Sequence, residues 1–171
     1  FVEGEESSLF YGFETNGIYQ TEDTDLVEGA VAGDVRVVDQ LTEDTDGDGI
    51  LDSGDGVIDF KDRTFIGNPN PDYVYGFNLN MKYKRLTVDA LFNGVYGNDI
   101  ANGMLLQLDM AEGKLNNNIL PAAYENAWRP ESQSNSYPRI GYSTEGQIAM
   151  TDRIIEDGSY LRLNNLTIGY D

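Results

Sequence analysis

An all-β chain built from antiparallel hairpins is what this sequence predicts, and three observations carry the prediction. Residues 72–97 alternate large apolar with small or polar side chains through two runs of about 11 residues, with only Lys84-Arg85 between them. The same alternation returns near the C-terminus, from Leu161 to Tyr170. The intervening segments are rich in Gly, Asn, Asp and Pro, which favour turns and loops, and hold only two short stretches at helical spacing.

Taken in order, residues 1–21 mix aromatics with Gly and Glu (Leu9-Phe10-Tyr11-Gly12-Phe13, then Gly17-Ile18-Tyr19) and read as short β segments with turns. Residues 22–62 carry 14 acidic and 2 basic side chains, a net of −12. Such a block is expected to be solvated, disordered or ion-bound, and to contribute nothing to a core. In the first long run Tyr73, Tyr75, Phe77, Leu79, Met81 and Tyr83 alternate with Val74, Gly76, Asn78, Asn80 and Lys82. The second sets Leu86, Val88, Ala90, Phe92 and Tyr96 against Thr87, Asp89 and Asn93. Each run exceeds the roughly 5–6 residues of a globular strand and suits a tilted membrane span. Tyr73, Tyr75, Tyr83 and Tyr96 end the apolar face, as an interfacial girdle would. A long hairpin in a soluble sandwich, with that face on a core, fits the pattern equally well.

Residues 98–152 are rich in Asn, Gly and Pro, and a connection this long usually has a function. Within it Ala101, Met104, Leu105 and Leu108 recur at helical spacing between Asp99 and Gly113. A second helix is expected from Pro121 to Trp128, with Pro121 suited to its first turn and Pro130 acting as a stop. The last zone turns at Asp157-Gly158 and alternates through Leu161 and Leu163. It slips at Asn164-Asn165 and resumes with Leu166, Ile168 and Tyr170, which predicts a β-bulge.

Composition removes several function classes. The 171 residues hold 30 Asp+Glu against 11 Lys+Arg, a net charge of −19 that repels nucleic acid. His and Cys are both absent, so the commonest general base, thiol nucleophiles, disulfides and zinc–thiolate sites are excluded. No stretch approaches the roughly 18 apolar residues of a membrane helix, which leaves a β-barrel open because its spans are short and alternating. Phe1 is not an initiator, no signal peptide follows it, and the chain stops at Tyr170-Asp171 without a turn, so a piece of a longer protein is expected.

The strongest local motif is Asp44-Thr-Asp46-Gly-Asp48-Gly49-Ile50-Leu-Asp52-Ser-Gly-Asp55, which has the spacing of an EF-hand-type calcium loop. Asp44, Asp46 and Asp48 fall at positions 1, 3 and 5, Gly49 at 6, the Ile50 carbonyl at 7, Asp52 at 9 and Asp55 at 12. A hard dication takes 6–8 oxygens, and glycine at the sixth position permits the sharp turn that brings later ligands back. Asp rather than Glu at position 12 shortens the bidentate reach and points to a weaker Ca²⁺ site, and mutual repulsion of so many clustered carboxylates points to a structural role for the ion. The flanks Val35–Val38 and Arg63–Ile66 are β-like rather than helical. The unit Asp48-Gly-Ile-Leu-Asp52 recurs as Asp55-Gly-Val-Ile-Asp59, but a second loop in that register would need a ligand at Leu51. No pair among the 30 acids is singled out as glycosidase carboxylates, and no Gly-rich, Lys-terminated phosphate loop is present. Trp128 and the tyrosines read as core or girdle residues before sugar-stacking ones.

An ordered series of blocks resembles a known family. It runs Gly17-Ile-Tyr-Gln-Thr21, Gly33-Asp34-Val-Arg, Asp48-Gly-Ile-Leu-Asp52 and Asp62-Arg-Thr-Phe-Ile-Gly-Asn-Pro-Asn-Pro-Asp72. Gly76-Phe-Asn-Leu, Gly94-Val-Tyr-Gly-Asn-Asp99, Trp128-Arg-Pro-Glu131, Tyr137-Pro-Arg139 and Glu156-Asp-Gly-Ser-Tyr-Leu-Arg162 complete it. The order is similar to the C-terminal part of SusC/RagA-type TonB-linked outer-membrane transporters of Bacteroidota. Such proteins usually carry one Asp-Gly-Val-Ile-Asp unit here, where this chain has two versions of it.

The resemblance implies a portion of a large outer-membrane β-barrel of about 22 strands around an N-terminal plug. It implies no enzyme activity, energy from TonB, and a SusD-like surface lipoprotein that caps the mouth and delivers glycan or peptide. Residues 73–97 would then be a membrane hairpin and 159–171 a membrane strand in contact with lipid. Residues 15–72, with the calcium motif, and 98–157, with the short helices, would be extracellular loops. Four or five strands cannot close a barrel alone, so an isolated piece should expose an unpaired edge and self-associate. The competing expectation is a calcium-stabilised extracellular carbohydrate-binding or adhesion β-module, soluble without any barrel.

Overall fold

The computed structural model describes residues 6–27, 29–108, 119–141 and 150–171. In chain order the strands are β1 (Phe10–Phe13), β2 (Thr15–Ile18), β3 (Val35–Val37), β4 (Arg63–Gly67), β5 (Tyr73–Tyr83), β6 (Leu86–Tyr96), β7 (Asp99–Ala101), β8 (Ile155–Asp157) and β9 (Tyr160–Tyr170). Among the described residues, two α-helices, α1 (Gly103–Leu108) and α2 (Pro121–Asn126), lie between β7 and β8. The strands pair as β1–β4, β2–β3, β5–β6–β9 and β7–β8. The chain divides into two units, one of Phe1–Leu9, Gly67–Ile100 and Glu156–Asp171, the other of Phe10–Ile66 and Ala101–Ile155.

The first unit is built on the three 11-residue strands, antiparallel in the order β5–β6–β9. Register runs without a slip from Tyr73↔Tyr96 to Tyr83↔Leu86, so the apolar residues of both strands share one face. Phe77 and Phe92 stack across the strands at 4.6 Å, and Tyr73 and Tyr96 at 5.0 Å. The link is the expected two-residue turn. Its first residue, Lys84, takes φ 54, as both common two-residue hairpin turns require. Between β6 and β9 the partners shift from Leu91↔Asn165 to Phe92↔Leu163, leaving Asn164 as the extra residue of the expected bulge. That insertion returns Leu161 and Leu163 to the face that carries Leu166, Ile168 and Tyr170. The three strands form an open sheet.

The second unit joins two segments far apart in sequence. Its largest buried side chains include Phe13, Ile18, Tyr19, Val35, Val37, Trp128 and Ile154, with Ile18, Val35 and Trp128 in mutual contact. Phe13 donates its backbone N–H to the Met150 carbonyl at 2.8 Å, and Ile18 its own to Asn135 Oδ1 at 3.1 Å. Asp152 accepts from the Thr15 hydroxyl at 2.6 Å, and Gln20 Oε1 accepts from Trp128 Nε1 at 3.1 Å. Gly33 (φ 92) packs so closely on Trp128 that a Cβ there would lie 2.6 Å from Cε3.

Three local expectations change. The acidic block does contribute to the core. Val35 and Val37 alternate inward on β3, Asp34 is buried against Arg139 Nε at 2.6 Å, and Asp62 is 1% exposed. Asp62 is tolerated there because its carboxylate accepts the backbone N–H groups of Gln40 and Asp59 at 2.9 and 2.7 Å. Ala101 belongs to β7 rather than to the first helix, which starts at Gly103, with Asn102 Oδ1 accepting the Met104 N–H at 3.2 Å. The second helix has Pro121 in its first turn as expected but ends at Asn126, and Trp128 lies beyond it, buried. Gly113 lies outside the described residues.

Candidate functional site

The acidic loop is closed at its neck by Glu43 and Ser53, whose backbones exchange hydrogen bonds of 2.9 and 3.2 Å. Inside the neck, short Asp side chains bond to backbone amides just ahead of them. Asp44 accepts from Gly47 and Gly49 at 2.7 and 2.8 Å, Asp46 from Asp48 at 3.1 Å, and Asp48 from Ile50 at 2.8 Å. Gly49, at the sixth position, takes φ 88, which the sharp turn demands. The result brings carboxylate oxygens of Asp44, Asp46 and Asp48 within 4.8 Å of one another, all exposed. A convergent set of hard oxygen donors, with no His or Cys in the sequence, fits a dication such as Ca²⁺ or Mg²⁺ and not a soft metal.

The remaining candidate ligands hold other partners. Asp52 accepts from the Thr45 amide and hydroxyl at 3.0 and 2.9 Å. Asp55 pairs with Lys61 Nζ at 3.2 Å and accepts the Val57 N–H at 3.0 Å. Ile50 contributes its N–H to Asp48, and its side chain is exposed. The second Asp-Gly unit serves as a cap: Asp59 accepts from Lys61 N at 2.7 Å while Asp62 accepts from Asp59 N, closing the short 3₁₀ turn Phe60–Asp62.

Electrostatics follow from these bonds. The Gly49 and Gly47 amides hold the Asp44 carboxyl below its ordinary range, and Thr45 does the same for Asp52. Asp55 is lowered by the Val57 amide and then by Lys61, whose own ammonium is raised chiefly by its hydrogen bond to Asp55. All these groups are ionised at neutral pH, which suits cation binding.

The second candidate surface is the sheet. Phe77, Leu79 and Met81 are 50%, 53% and 53% exposed, and Leu161, Leu163, Leu166 and Ile168 extend the same apolar face across β9. The opposite face is mixed but more polar, presenting Asn78, Asn80, Lys82, Thr87, Asp89, Asn93, Arg162 and Thr167 along with Val74, Leu91, Val95 and Tyr160. Tyrosines mark both ends of the apolar face, Tyr73 and Tyr96 at one, Tyr83 and Tyr170 at the other. Strands of 11 residues at about 3.3 Å each, tilted by about 40°, rise roughly 28 Å, close to the ~25 Å apolar band of an outer-membrane barrel.

Over 169 residues, 99% of this chain, the sequence is 34% identical to TonB-dependent receptor P3 of Formosa agariphila. The chain is homologous to a portion of a TonB-dependent receptor. It spans 15% of the length of that relative. TonB-dependent receptors P26 and P39 of the same organism are 28% and 26% identical over 70% and 80% of this chain, which covers 12% of each. No family model matches the chain. TonB-dependent receptors reside in the Gram-negative outer membrane.

Spacing alone picked out Asp44, Asp46 and Asp48, which the structure brings together, along with Asp52 and Asp55, which are not part of that cluster. It missed the Asp55–Lys61 pair and the buried Asp34 and Asp62. The capping spacing from Asp59 to Asp62 was the available signal for the last of these.

Proposed function

We propose that this chain forms three strands of the wall, and two of the extracellular loops, of a SusC/RagA-type TonB-dependent nutrient importer. The observation that carries the reading is the apolar face that continues across three 11-residue strands and is largely exposed along β5 and β9, backed by a more polar face. A soluble carbohydrate-binding or adhesion module would cover such a face with a core; a barrel turns it to lipid and its polar partner to the lumen. Residues 73–97 serve as the membrane hairpin and 159–171 as a membrane strand. Because β5 begins, β6 ends and β9 begins at the Tyr73/Tyr96/Tyr160 end of the sheet, residues 15–72 and 98–157 both depart from that end, the extracellular one. Lys84-Arg85 is then a periplasmic turn. In this reading the loops face a SusD-like lipoprotein and the incoming glycan or peptide, and TonB supplies energy through parts of the receptor outside this chain. Asp44, Asp46 and Asp48 hold a structural Ca²⁺, with the Ile50 carbonyl, Asp52 and Asp55 completing the set once Asp55 leaves Lys61. The ion neutralises a cluster of mutually repelling carboxylates and performs no bond chemistry.

This chain has no cysteine, so in a receptor whose other parts are also free of cysteine, single cysteines carrying a nitroxide read the two faces directly. With the receptor in native-like membranes, labels at Phe77→Cys and Leu79→Cys should collide with dissolved oxygen and be shielded from a water-soluble nickel chelate. Labels at Asn78→Cys and Asn80→Cys should show the reverse. Equal accessibility on both faces removes the reading.

A further inference from the structure

We propose that the Lys84-Arg85 turn is a docking site for the phosphate headgroup of an anionic glycerophospholipid; this rests on the reading of the sheet as a membrane wall. Lys84 holds φ 54, and among the described residues only Ser8 also has a positive φ without being glycine. Asn or Gly would hold that turn with less backbone strain, and strain kept at one residue points to a use for its side chain.

The charged heads are placed for that use. Lys84 Nζ sits 5.5 Å from the Tyr83 ring centroid and Arg85 Cζ 5.3 Å from that of Tyr170. Arg85 Nε also donates to the Asp171 carbonyl, which fixes the guanidinium against the end of β9. The register sets Tyr83, Leu86 and Tyr170 side by side on the apolar face, so both cations lie at its rim. At this end of the sheet lie three cations, Lys82, Lys84 and Arg85, against one acid, Asp171, in a chain of net charge −19; Arg162 lies toward the other end, opposite Asn93. The turn end is therefore a cationic edge on an acidic molecule. One lipid uses all three features together: acyl chains on the apolar face, the glycerol level at the tyrosines, and phosphate at the cations. A free phosphate ion would leave the apolar face unused.

The test uses the receptor that carries this chain, in mixed micelles of detergent with equal phosphatidylglycerol and phosphatidylcholine, the retained lipids being counted by native mass spectrometry. The unaltered receptor should retain phosphatidylglycerol in preference. Each cation near a surface strengthens attraction to anionic lipid roughly fivefold, so Lys84→Asn with Arg85→Gln should lower the preference roughly 25-fold. Asparagine suits the left-handed turn residue, so this variant keeps the hairpin. Lys84→Arg with Arg85→Lys should preserve the preference. An unchanged preference in the neutral variant overturns the proposal, as does displacement of phosphatidylglycerol by inorganic phosphate at matched concentration, which marks a plain anion site. If the nitroxide pattern along β5 is absent, the wall reading itself falls. If that pattern is intact and no lipid preference exists, the headgroup proposal falls alone.

Discussion

Gly33→Ala tests whether the segments around residues 33 and 128 form one packed body. Gly33 has φ 92, and an added Cβ would lie 2.6 Å from Trp128 Cε3 and 2.9 Å from Arg139 Cβ. Its N–H donates to the Tyr19 carbonyl at 2.8 Å and its carbonyl accepts from Arg139 N–H at 2.7 Å, so the backbone cannot turn away without losing bonds. Left-handed strain costs about 1–2 kcal/mol and overpacking about 1–3 kcal/mol. The stiffer unfolded chain offsets about 0.4–1 kcal/mol of this, leaving roughly 2–4 kcal/mol of destabilisation. Gly29→Ala is the control: φ is 82, but nothing lies within 4 Å of its Cβ position, so only the strain of about 1 kcal/mol remains. Urea unfolding in micelles, followed by emission of the single Trp128, should show Gly33→Ala shifted by about 1 M more than Gly29→Ala. Equal shifts would refute the packing of Gly33 on Trp128, and with it the joining of the two segments into one core.

Two predictions concern the acidic loop. Calorimetric titration with Ca²⁺ should show one saturable event at up to millimolar calcium that is lost in Asp44→Asn/Asp48→Asn; heat unchanged in that variant would place the ion elsewhere. The Asp44 carboxyl is lowered by the Gly49 and Gly47 amides, so its bonds to them stabilise the loop fully above the ordinary aspartate pKa. That contribution is lost as pH falls through the lowered value. Proton exchange at the Gly47 and Gly49 amides, corrected for its intrinsic pH dependence, should lose protection below about pH 4 and not between pH 7 and 5. Loss of protection already near pH 6 would contradict the sign.

How much of this was legible in the sequence depended on the range of the forces involved. β5, β6 and β9 were legible because side chains alternate with a period of two, so burial demand is written into neighbouring letters. The bulge at Asn164 was legible because one extra residue inverts that alternation. The start of α1 was misplaced because Ala101 fits the helical spacing, whereas the cap that sets the start comes from Asn102. The inner body was not legible: Thr15 with Asp152, Ile18 with Asn135 and Gln20 with Trp128 join residues more than 100 positions apart and leave no local period. Within the acidic loop, spacing found the triad because Asp-Gly turns repeat backbone geometry. It could not find which carboxylate a lysine six residues away, Lys61, would take.

The central claim is that the apolar face of β5, β6 and β9 meets lipid. Its most direct measurement is outer-membrane assembly of receptors carrying Phe77→Asp, Leu79→Asp or Asn78→Asp, read by heat-modifiable gel mobility and surface exposure. Phe77 and Leu79 are exposed on the apolar face, and an acid near the middle of a lipid-facing strand costs up to about 2 kcal/mol, while lumen positions tolerate charge. The account predicts that Phe77→Asp and Leu79→Asp lower the assembled fraction severalfold, and that Asn78→Asp leaves it unchanged. Equal tolerance at all three positions would contradict it.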